Sequence, residues 1–240
     1  MFIIRQTCTL LCWTLLALKV VSCDPFHEDE IADGKVVTIN PERTEYYLPD
    51  YLYPNPSVVI NLGEIVMFTF ETISIRVTEY PTYGRVFSLS DFLVKYTPSK
   101  AFFEDAPHEG ERKDQFGISI FKDGKIIATQ TITVRMDDFP CSLYAVEDKI
   151  ATTRETAVSF LVTWNDRLCD IRSDNIEYSI ALAPQHGRAE LNGSTFTYTP
   201  DAGYQGEDEF VYQLKAFRQE NMVSVGPLIS YGLVTIDVGE

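Results

Sequence analysis

The chain has 240 residues and carries 35 acidic against 20 basic side chains, which gives a formal net charge of −15 at pH 7. A surface with this surplus of negative charge repels nucleic acid and anionic lipid head groups, so we expect neither as a partner. Aromatic residues make up 12% of the chain, enough to build hydrophobic cores. The length accommodates two sandwich domains of about 100 residues each.

Residues 1–23 have the pattern of a secretory signal peptide. Arg5 supplies a short basic region, and Lys19 interrupts the apolar run that follows, which is too short and too broken for a membrane span. The ending VVSC at residues 20–23 resembles a bacterial lipobox. This resemblance implies that Cys23 becomes the lipidated first residue of the mature protein; the alternative is cleavage nearby, with Cys23 incidental. Removing the signal leaves 18 basic and 35 acidic residues, a net charge of −17.

Residues 24–34 are acidic and loop-like, and we expect them to form a short tether. They resemble the acidic tether that follows the lipid cysteine in some surface-exposed lipoproteins of Gram-negative bacteria. The resemblance implies an outer-membrane or cell-surface location, with the periplasmic face as the alternative.

A hairpin is the clearest local signal in the chain, in the run PQHGRAELNGSTFTYTPDAGYQGEDEFVY at residues 184–212. Asn192-Gly193 between two alternating segments predicts a two-residue hairpin with a type I′ turn. The predicted register pairs Leu191 with Ser194, Ala189 with Phe196, and Gly187 with Tyr198. One face then carries the aromatic rings, and Gly187 leaves room for the ring of Tyr198.

The same run resembles the bacterial Ig-like or cadherin-like tandem repeat, whose pattern is P-x-x-G, a hairpin, Y-T-P, a Gly-rich loop and D-x-F-x-Y. Upstream, Trp164-Asn165-Asp166 lies where that family places an Asn-Asp pair after a hydrophobic strand. The resemblance covers residues 141–238 and implies a β-sandwich. It implies no single function, because such modules serve as spacers, adhesins and docking surfaces.

An internal repeat indicates that the sandwich occurs twice. PTYGR at residues 81–85 repeats PQHGR, YTP at residues 96–98 repeats the second YTP, and DQF at residues 114–116 repeats DEF. We therefore predict an all-β chain with two tandem Ig-like/cadherin-like β-sandwich domains, at residues 35–136 and 137–240. The predicted strands are 35–39, 57–60, 65–70, 73–78, 116–121, 126–135, 142–146, 157–162, 176–181, 209–216 and 231–238. No stretch sustains a helical period, so helix should be scarce.

The sequence predicts no enzyme, because zinc-binding, nucleophile-elbow and phosphate-binding motifs are absent. It predicts no cofactor, with calcium as the alternative, because four side chains offer hard oxygen ligands at loop ends: Asp148, Asn165, Asp166 and Asp208. The competing interpretation is that Asn165 and Asp166 cap a turn through their own side chains.

Two aromatic surfaces are candidate interaction sites. Tyr46, Tyr47, Tyr51 and Tyr53 stand among prolines and form either a platform for glycan or protein or a loop packed over the first sandwich. The predicted register of the first hairpin places Phe87 opposite Leu93 on the outward face. That pair is either an open patch or is covered by Phe102 or Phe103 from the polar insertion at residues 100–112.

Cys141 and Cys169 are the two cysteines outside residues 1–23, and in an exported protein we expect them to form a disulfide. Closing that loop would contribute about 3 kcal/mol in the chain-entropy model. Together these features predict a non-catalytic cell-envelope lipoprotein that docks onto or spaces another envelope or surface protein. The alternative is a carbohydrate-binding surface lipoprotein for glycan capture.

Overall fold

The computed structural model describes residues 27–31, 35–49, 56–68, 72–104, 112–137, 143–168, 171, 175–220 and 223–240. Several predicted features lie outside these residues: Cys23, Tyr51, Tyr53, Cys141 and Cys169. The lipidation and the disulfide therefore stay predictions.

Among the described residues, the N-terminal part of the chain has ten strands and one short α-helix. They are β1 (His27–Ile31), β2 (Lys35–Ile39), β3 (Glu45–Pro49), β4 (Val58–Asn61), β5 (Val66–Phe68), β6 (Ser74–Glu79), β7 (Gly84–Ser88), β8 (Leu93–Pro98), α1 (Lys100–Glu104), β9 (Lys113–Lys122) and β10 (Lys125–Asp137). Sheets β3-β10-β9-β6 and β4-β8-β7 enclose one hydrophobic core and form the N-terminal sandwich. Strands β1-β2-β5 add a small third sheet.

Seven strands repeat this arrangement in the C-terminal part. They are β11 (Asp148–Thr153), β12 (Val158–Leu161), β13 (Ile176–Leu182), β14 (Gly187–Asn192), β15 (Thr195–Pro200), β16 (Gly206–Glu220) and β17 (Val223–Gly239). Sheets β11-β17-β16-β13 and β12-β15-β14 enclose a second core and form the C-terminal sandwich. The predicted all-β Ig-like class is confirmed, whereas the predicted domain bounds stay a prediction.

Some strands differ from the predicted ones. Residues 27–31 of the predicted tether form β1, which pairs antiparallel with β2. The described residues 143–146 of the predicted strand at 142–146 contain only an isolated bridge from Tyr144 to Arg167, and the strand follows at β11, parallel to β17. The sequence DKIATT of β11 has only two apolar residues and no apolar–polar alternation, so the period-two pattern that predicts a strand is absent.

Both hairpins are shifted by two residues from the predicted register. In the C-terminal hairpin Ala189 pairs with Tyr198, and Asn192 pairs with Thr195. The turn residues are therefore Gly193 and Ser194. Gly193 has a positive φ of 64° and Ser194 does not. This combination fits a type II′ turn, whereas a type I′ turn requires a positive φ at both residues. A two-residue shift leaves each side chain on its face, because the strand period is two.

The glycine before each hairpin makes room for a tyrosine, as the sequence predicts. A Cβ on Gly187 would lie 2.5 Å from the ring of Tyr198, and one on Gly84 would lie 2.4 Å from the ring of Tyr96. Real Cβ atoms do not approach this closely, so the two rings lie directly over the glycine backbone. Both tyrosines are fully buried.

The two sandwiches pack against each other through the outer faces of two sheets. Val59 and Leu93 of the N-terminal sandwich form a small buried cluster with Val211, Tyr231 and Leu233 of the C-terminal one. Removing these apolar side chains from water stabilises the contact by the hydrophobic effect.

Polar contacts surround that apolar cluster. The side-chain amide of Asn61 donates to the Tyr231 hydroxyl at 3.0 Å, and this hydroxyl donates to Glu64 Oε1. Lys95 Nζ lies 2.5 Å from Glu147 Oε2. These bonds fix the position of the N-terminal sandwich along β17.

The structure corrects the prediction for Phe87 and Leu93. Leu93 is only 4% exposed, and the C-terminal sandwich covers it; neither an open patch nor the insertion accounts for it. Phe87 pairs with Lys95 rather than with Leu93 and is half-exposed. Phe102 is fully buried and Phe103 partly buried in the N-terminal core, so Phe102 is no interaction surface.

Substituting the two former patch residues one at a time should separate their roles. Leu93→Ser should lower the free energy of unfolding by about 2–4 kcal/mol, because it removes a buried leucine from the contact between the sandwiches. Phe87→Thr should cost less than about 1 kcal/mol, because its ring is already half in water. Urea denaturation of both variants is the measurement, and equal effects would contradict this assignment.

Candidate interaction site on the C-terminal sandwich

Asp208 is a structural residue of the C-terminal sandwich. It is 4% exposed and accepts four hydrogen bonds, from the backbone amides of Gln185, His186 and Glu209 and from the Tyr198 hydroxyl, at 2.9–3.0 Å. Each carboxylate oxygen takes two of these bonds, which uses the acceptor capacity that a calcium ion would need. The calcium candidacy of Asp208 is therefore wrong.

The equivalent residue of the N-terminal sandwich has the same role. Asp114 accepts bonds from the amides of Thr82, Tyr83 and Gln115 and from the Tyr96 hydroxyl. In both copies, the aspartate of the D-x-F motif lies near the start of the strand that follows the hairpin. It binds the backbone amides of the residues just before the hairpin and so holds these two segments together.

The structure brings the other three calcium candidates together. Asn165 Nδ2 donates to Asp148 Oδ1 at 2.9 Å. Asp166 Oδ1 accepts from the Val146 amide at 2.8 Å and from the Tyr212 hydroxyl at 2.9 Å. The second oxygen of each carboxylate and Oδ1 of Asn165 are buried and accept no hydrogen bond of good geometry.

Burial raises the pKa of the two aspartates in this group. Desolvation raises the pKa of Asp148 to about 7, and the Asn165 amide, the Trp164 indole and the Tyr212 hydroxyl lower it in part. Desolvation likewise raises the pKa of Asp166 to about 7, with its bonds to Val146 and Tyr212 opposing the rise. Across the described residues no cluster of three or more His, Cys, Asp or Glu side chains is arranged to hold a metal ion.

A groove of about 840 Å³ lies beside this group, between β11 and β12. Lys149 and Ile150 of β11 form one wall, and Phe160 and Leu161 of β12 form the other. Trp164, which follows β12, is 79% exposed, and Leu161 is 50% exposed. The lining combines these apolar side chains with polar ones such as Glu147 and Asn165. A groove with an exposed tryptophan at its rim is a common feature of binding surfaces.

The repeat relates this groove to the contact between the sandwiches. Val58 pairs with Tyr96 and Val158 pairs with Tyr198, so residues of β4 and β12 correspond at an offset of 100. A 3-10 turn follows each strand, at Leu62–Glu64 and Val162–Trp164.

Leu161 and Trp164 therefore occupy the positions of Asn61 and Glu64, the two residues that bond to Tyr231 across the contact between the sandwiches. The same two positions dock a neighbour in one sandwich and are exposed and apolar in the other. The sequence analysis named Trp164 only as part of a family pattern and missed Leu161. Aligning the two copies strand by strand would have shown the change from polar to apolar.

Two residues of the predicted tyrosine platform, Tyr46 and Tyr47, lie in the part of the chain that the structure describes. Tyr46 is partly buried against the N-terminal core, where desolvation raises the pKa of its hydroxyl. Tyr47 is 40% exposed, and its hydroxyl donates to Glu45 Oε2 at 3.3 Å. Both belong to β3 rather than to a loop.

The comparisons with known proteins agree with the fold. Residues 137–221 match the family described as Bacterial Ig domain, which confirms the Ig-like resemblance there. A comparison with curated protein sequences gave no match.

A comparison with solved structures gives several distant matches. The Ig1-2 module of the Drosophila receptor protein tyrosine phosphatase DLAR is 8% identical, with 86% of this chain and 99% of that chain covered and a TM-score of 0.36. Chicken VE-cadherin EC1-2 is 11% identical, with 82% and 98% covered and a TM-score of 0.28. The endo-fucoidan hydrolase MfFcnA4 from glycoside hydrolase family 107 is 14% identical, with 83% of this chain covered and a TM-score of 0.26; this chain spans 29% of its length.

The family match in the C-terminal sandwich indicates a class of protein. Ig-like domains are typical of adhesion and protein-interaction modules, and bacterial Ig domains are typically extracellular or surface-exposed. Within the part of the chain that the structure describes, no helix is long and apolar enough to cross a membrane.

Proposed function

We propose that this chain is a non-catalytic, lipid-anchored cell-envelope protein whose two sandwiches dock onto another envelope protein. The observation that supports this function best is the open groove with the exposed side chains of Leu161 and Trp164. These residues stand at the positions that contact a neighbouring domain in the N-terminal sandwich. Tryptophan is also enriched among the residues that contribute most to binding between proteins.

Affinity purification from cross-linked native envelopes tests this function. A tagged wild-type chain should recover a defined partner in a fixed ratio to itself. Recovery of the tagged chain alone, after cross-linking that captures other known envelope complexes, would overturn the docking function.

Glycan capture is the second candidate, because an aromatic face exposed beside a polar side chain suits stacking on a sugar ring. Trp164 has such a face, and Asn165 lies next to it in the groove. On a glycan array, binding by the wild type that disappears in Trp164→Ala would favour this function. Unchanged glycan binding in that variant would place any sugar elsewhere.

The anchor is tested at the N-terminus of the mature protein. Mass spectrometry should show an acylated Cys23, and Cys23→Ser should release the protein from the membrane fraction, because several acyl chains on one residue hold a protein firmly. A free N-terminus at another residue would contradict lipidation.

A further inference from the structure

We propose that the groove between β11 and β12 binds an extended polypeptide segment of a partner protein, which pairs with the free edge of β12. This inference rests on the proposed docking function and names the kind of partner segment that docks. The segment is apolar at alternate positions and neutral or basic overall.

The first observation is the unpaired edge of β12. In the sheet β12-β15-β14 this strand is terminal, and no described strand pairs with its other side. Edge strands present unpaired backbone N–H and C=O groups, which an added strand satisfies. A segment that pairs along the four residues Val158–Leu161 needs about five residues, at about 3.3 Å each.

The second observation is how the equivalent gap is filled in the N-terminal sandwich. There the gap between β3 and β4 has a volume of only about 130 Å³, and its lining includes Tyr144, Ile229 and Tyr231 of the C-terminal sandwich. Polypeptide from the next domain thus occupies the place that stays open, at about 840 Å³, between β11 and β12. The open groove is continuous with this contact, because Pro56 and Ser57 lie at its end.

The third observation excludes a whole domain as the occupant. The N-terminal sandwich docks through a broad apolar face that includes Val59 and Leu93. The equivalent positions of the C-terminal sandwich, found by the same strand pairing, are Ser159 and Thr195. A polar face of this kind does not bury a second sheet, so the apolar contact is confined to the groove and its rim.

The same alignment excludes a second copy of this chain. Tyr231 and Leu233 of β17 supply the apolar surface that the N-terminal sandwich contacts. Ile132 of β10 pairs with Phe116, as Val234 of β17 pairs with Phe210, so these two strands correspond at an offset of 102 residues. The equivalents of Tyr231 and Leu233 in β10 are therefore Thr129 and Thr131. The N-terminal sandwich of a second copy therefore lacks the complementary surface.

Charge and side-chain pattern then define the segment. The chain has a net charge of −15, so an acidic segment is repelled and a neutral or basic one is favoured. Along an added strand, alternate side chains point to the same face. Those that face the interior of the groove pack on Phe160 and Ile150, which lie against the C-terminal core. Leu161 points to the opposite face of β12, where it and the indole of Trp164 contact the outer side of the segment.

The probe is a phage-displayed library of random 12-residue peptides, panned on the mature chain. Selected peptides should alternate apolar residues and carry no net negative charge. The double variant Leu161→Asn/Trp164→Glu introduces the residue types that the N-terminal sandwich has at these positions. It should weaken peptide binding about tenfold or more. Trp164→Glu alone, at a site 79% exposed, should give a smaller loss in a folded protein. Tyr80→Ser, at an exposed aromatic residue away from the groove, should leave binding unchanged.

Amide hydrogen exchange of Val158–Leu161 is the second readout, and it should slow in the complex. Failure to select any peptide, equal binding to the double variant, or unchanged exchange in β12 would overturn the inference. If the envelope partner still co-purifies with the double variant at the wild-type ratio, the docking function is supported and the assignment of the groove as its binding site is wrong. If peptides bind the groove while no envelope partner is recovered, peptide binding by the groove is supported and the proposed function is wrong.

Discussion

Asp208→Ala should lower the free energy of unfolding of the C-terminal sandwich by about 4 kcal/mol. The buried Asp208 carboxylate accepts bonds from three backbone amides and from the Tyr198 hydroxyl. Alanine leaves the three backbone amides without this acceptor, whereas the Tyr198 hydroxyl still reaches the His186 carbonyl at 3.3 Å. Each unsatisfied buried donor costs about 1–3 kcal/mol before relaxation and water recover part of it.

Urea denaturation followed by circular dichroism measures this effect. Tyr198→Phe is the matched control: it removes one of the four bonds and should cost about 1 kcal/mol. Asp114→Ala repeats the change in the N-terminal sandwich. Equal costs for Asp208→Ala and Tyr198→Phe would show that the carboxylate does not anchor the hairpin.

The sequence predicts the fold of these hairpins better than the bonds that hold them. Alternation places Phe196 and Tyr198 on the buried face, and both are fully buried. The bond from Tyr198 to Asp208 was not predicted, because periodicity assigns a side chain to a face without giving its partner. The two-residue shift in register has a similar cause, since Asn-Gly suits either the centre of a type I′ turn or the first two positions of a type II′ turn.

The groove and the contact between the sandwiches were harder to predict. Leu93 shares its strand with core residues but points outward, and only the position of the C-terminal sandwich explains its burial. Trp164 has the reverse property: a residue type usually well buried is 79% exposed. Both depend on how two units pack, which the local pattern of a single strand does not encode.

Acidification from pH 8 to pH 5 should raise the free energy of unfolding of the C-terminal sandwich by about 2–3 kcal/mol. Burial raises the pKa of Asp148 and of Asp166 to about 7, whereas an aspartate in the unfolded chain titrates near pH 3.9. Between these values the folded state holds protons that the unfolded state releases. Stability from this source therefore increases as the pH falls through 7 and is lost again as the pH rises through 7.

The size of this effect follows from proton linkage. One proton held by the folded state over the two pH units below 7 corresponds to about 2.7 kcal/mol, at 1.36 kcal/mol per unit. The charge of Asp148 raises the pKa of the neighbouring Asp166, so we assign the first proton to the pair rather than to one fixed residue. The proton also supplies a donor where buried carboxylate oxygens have no partner.

Urea denaturation of the wild type and of Asp148→Asn/Asp166→Asn, at pH 5, 6, 7 and 8, tests this prediction. The variant cannot titrate at these positions, so its stability should change much less over this range, and it should exceed the wild type mainly at pH 8. Calcium provides a second readout. If the three oxygens held calcium, adding it at pH 8 would stabilise the wild type alone and reduce the pH dependence, whereas proton uptake predicts the same pH dependence with and without calcium. A wild type that loses stability on acidification to pH 5, or a variant that keeps the full slope, would contradict the assignment to this pair.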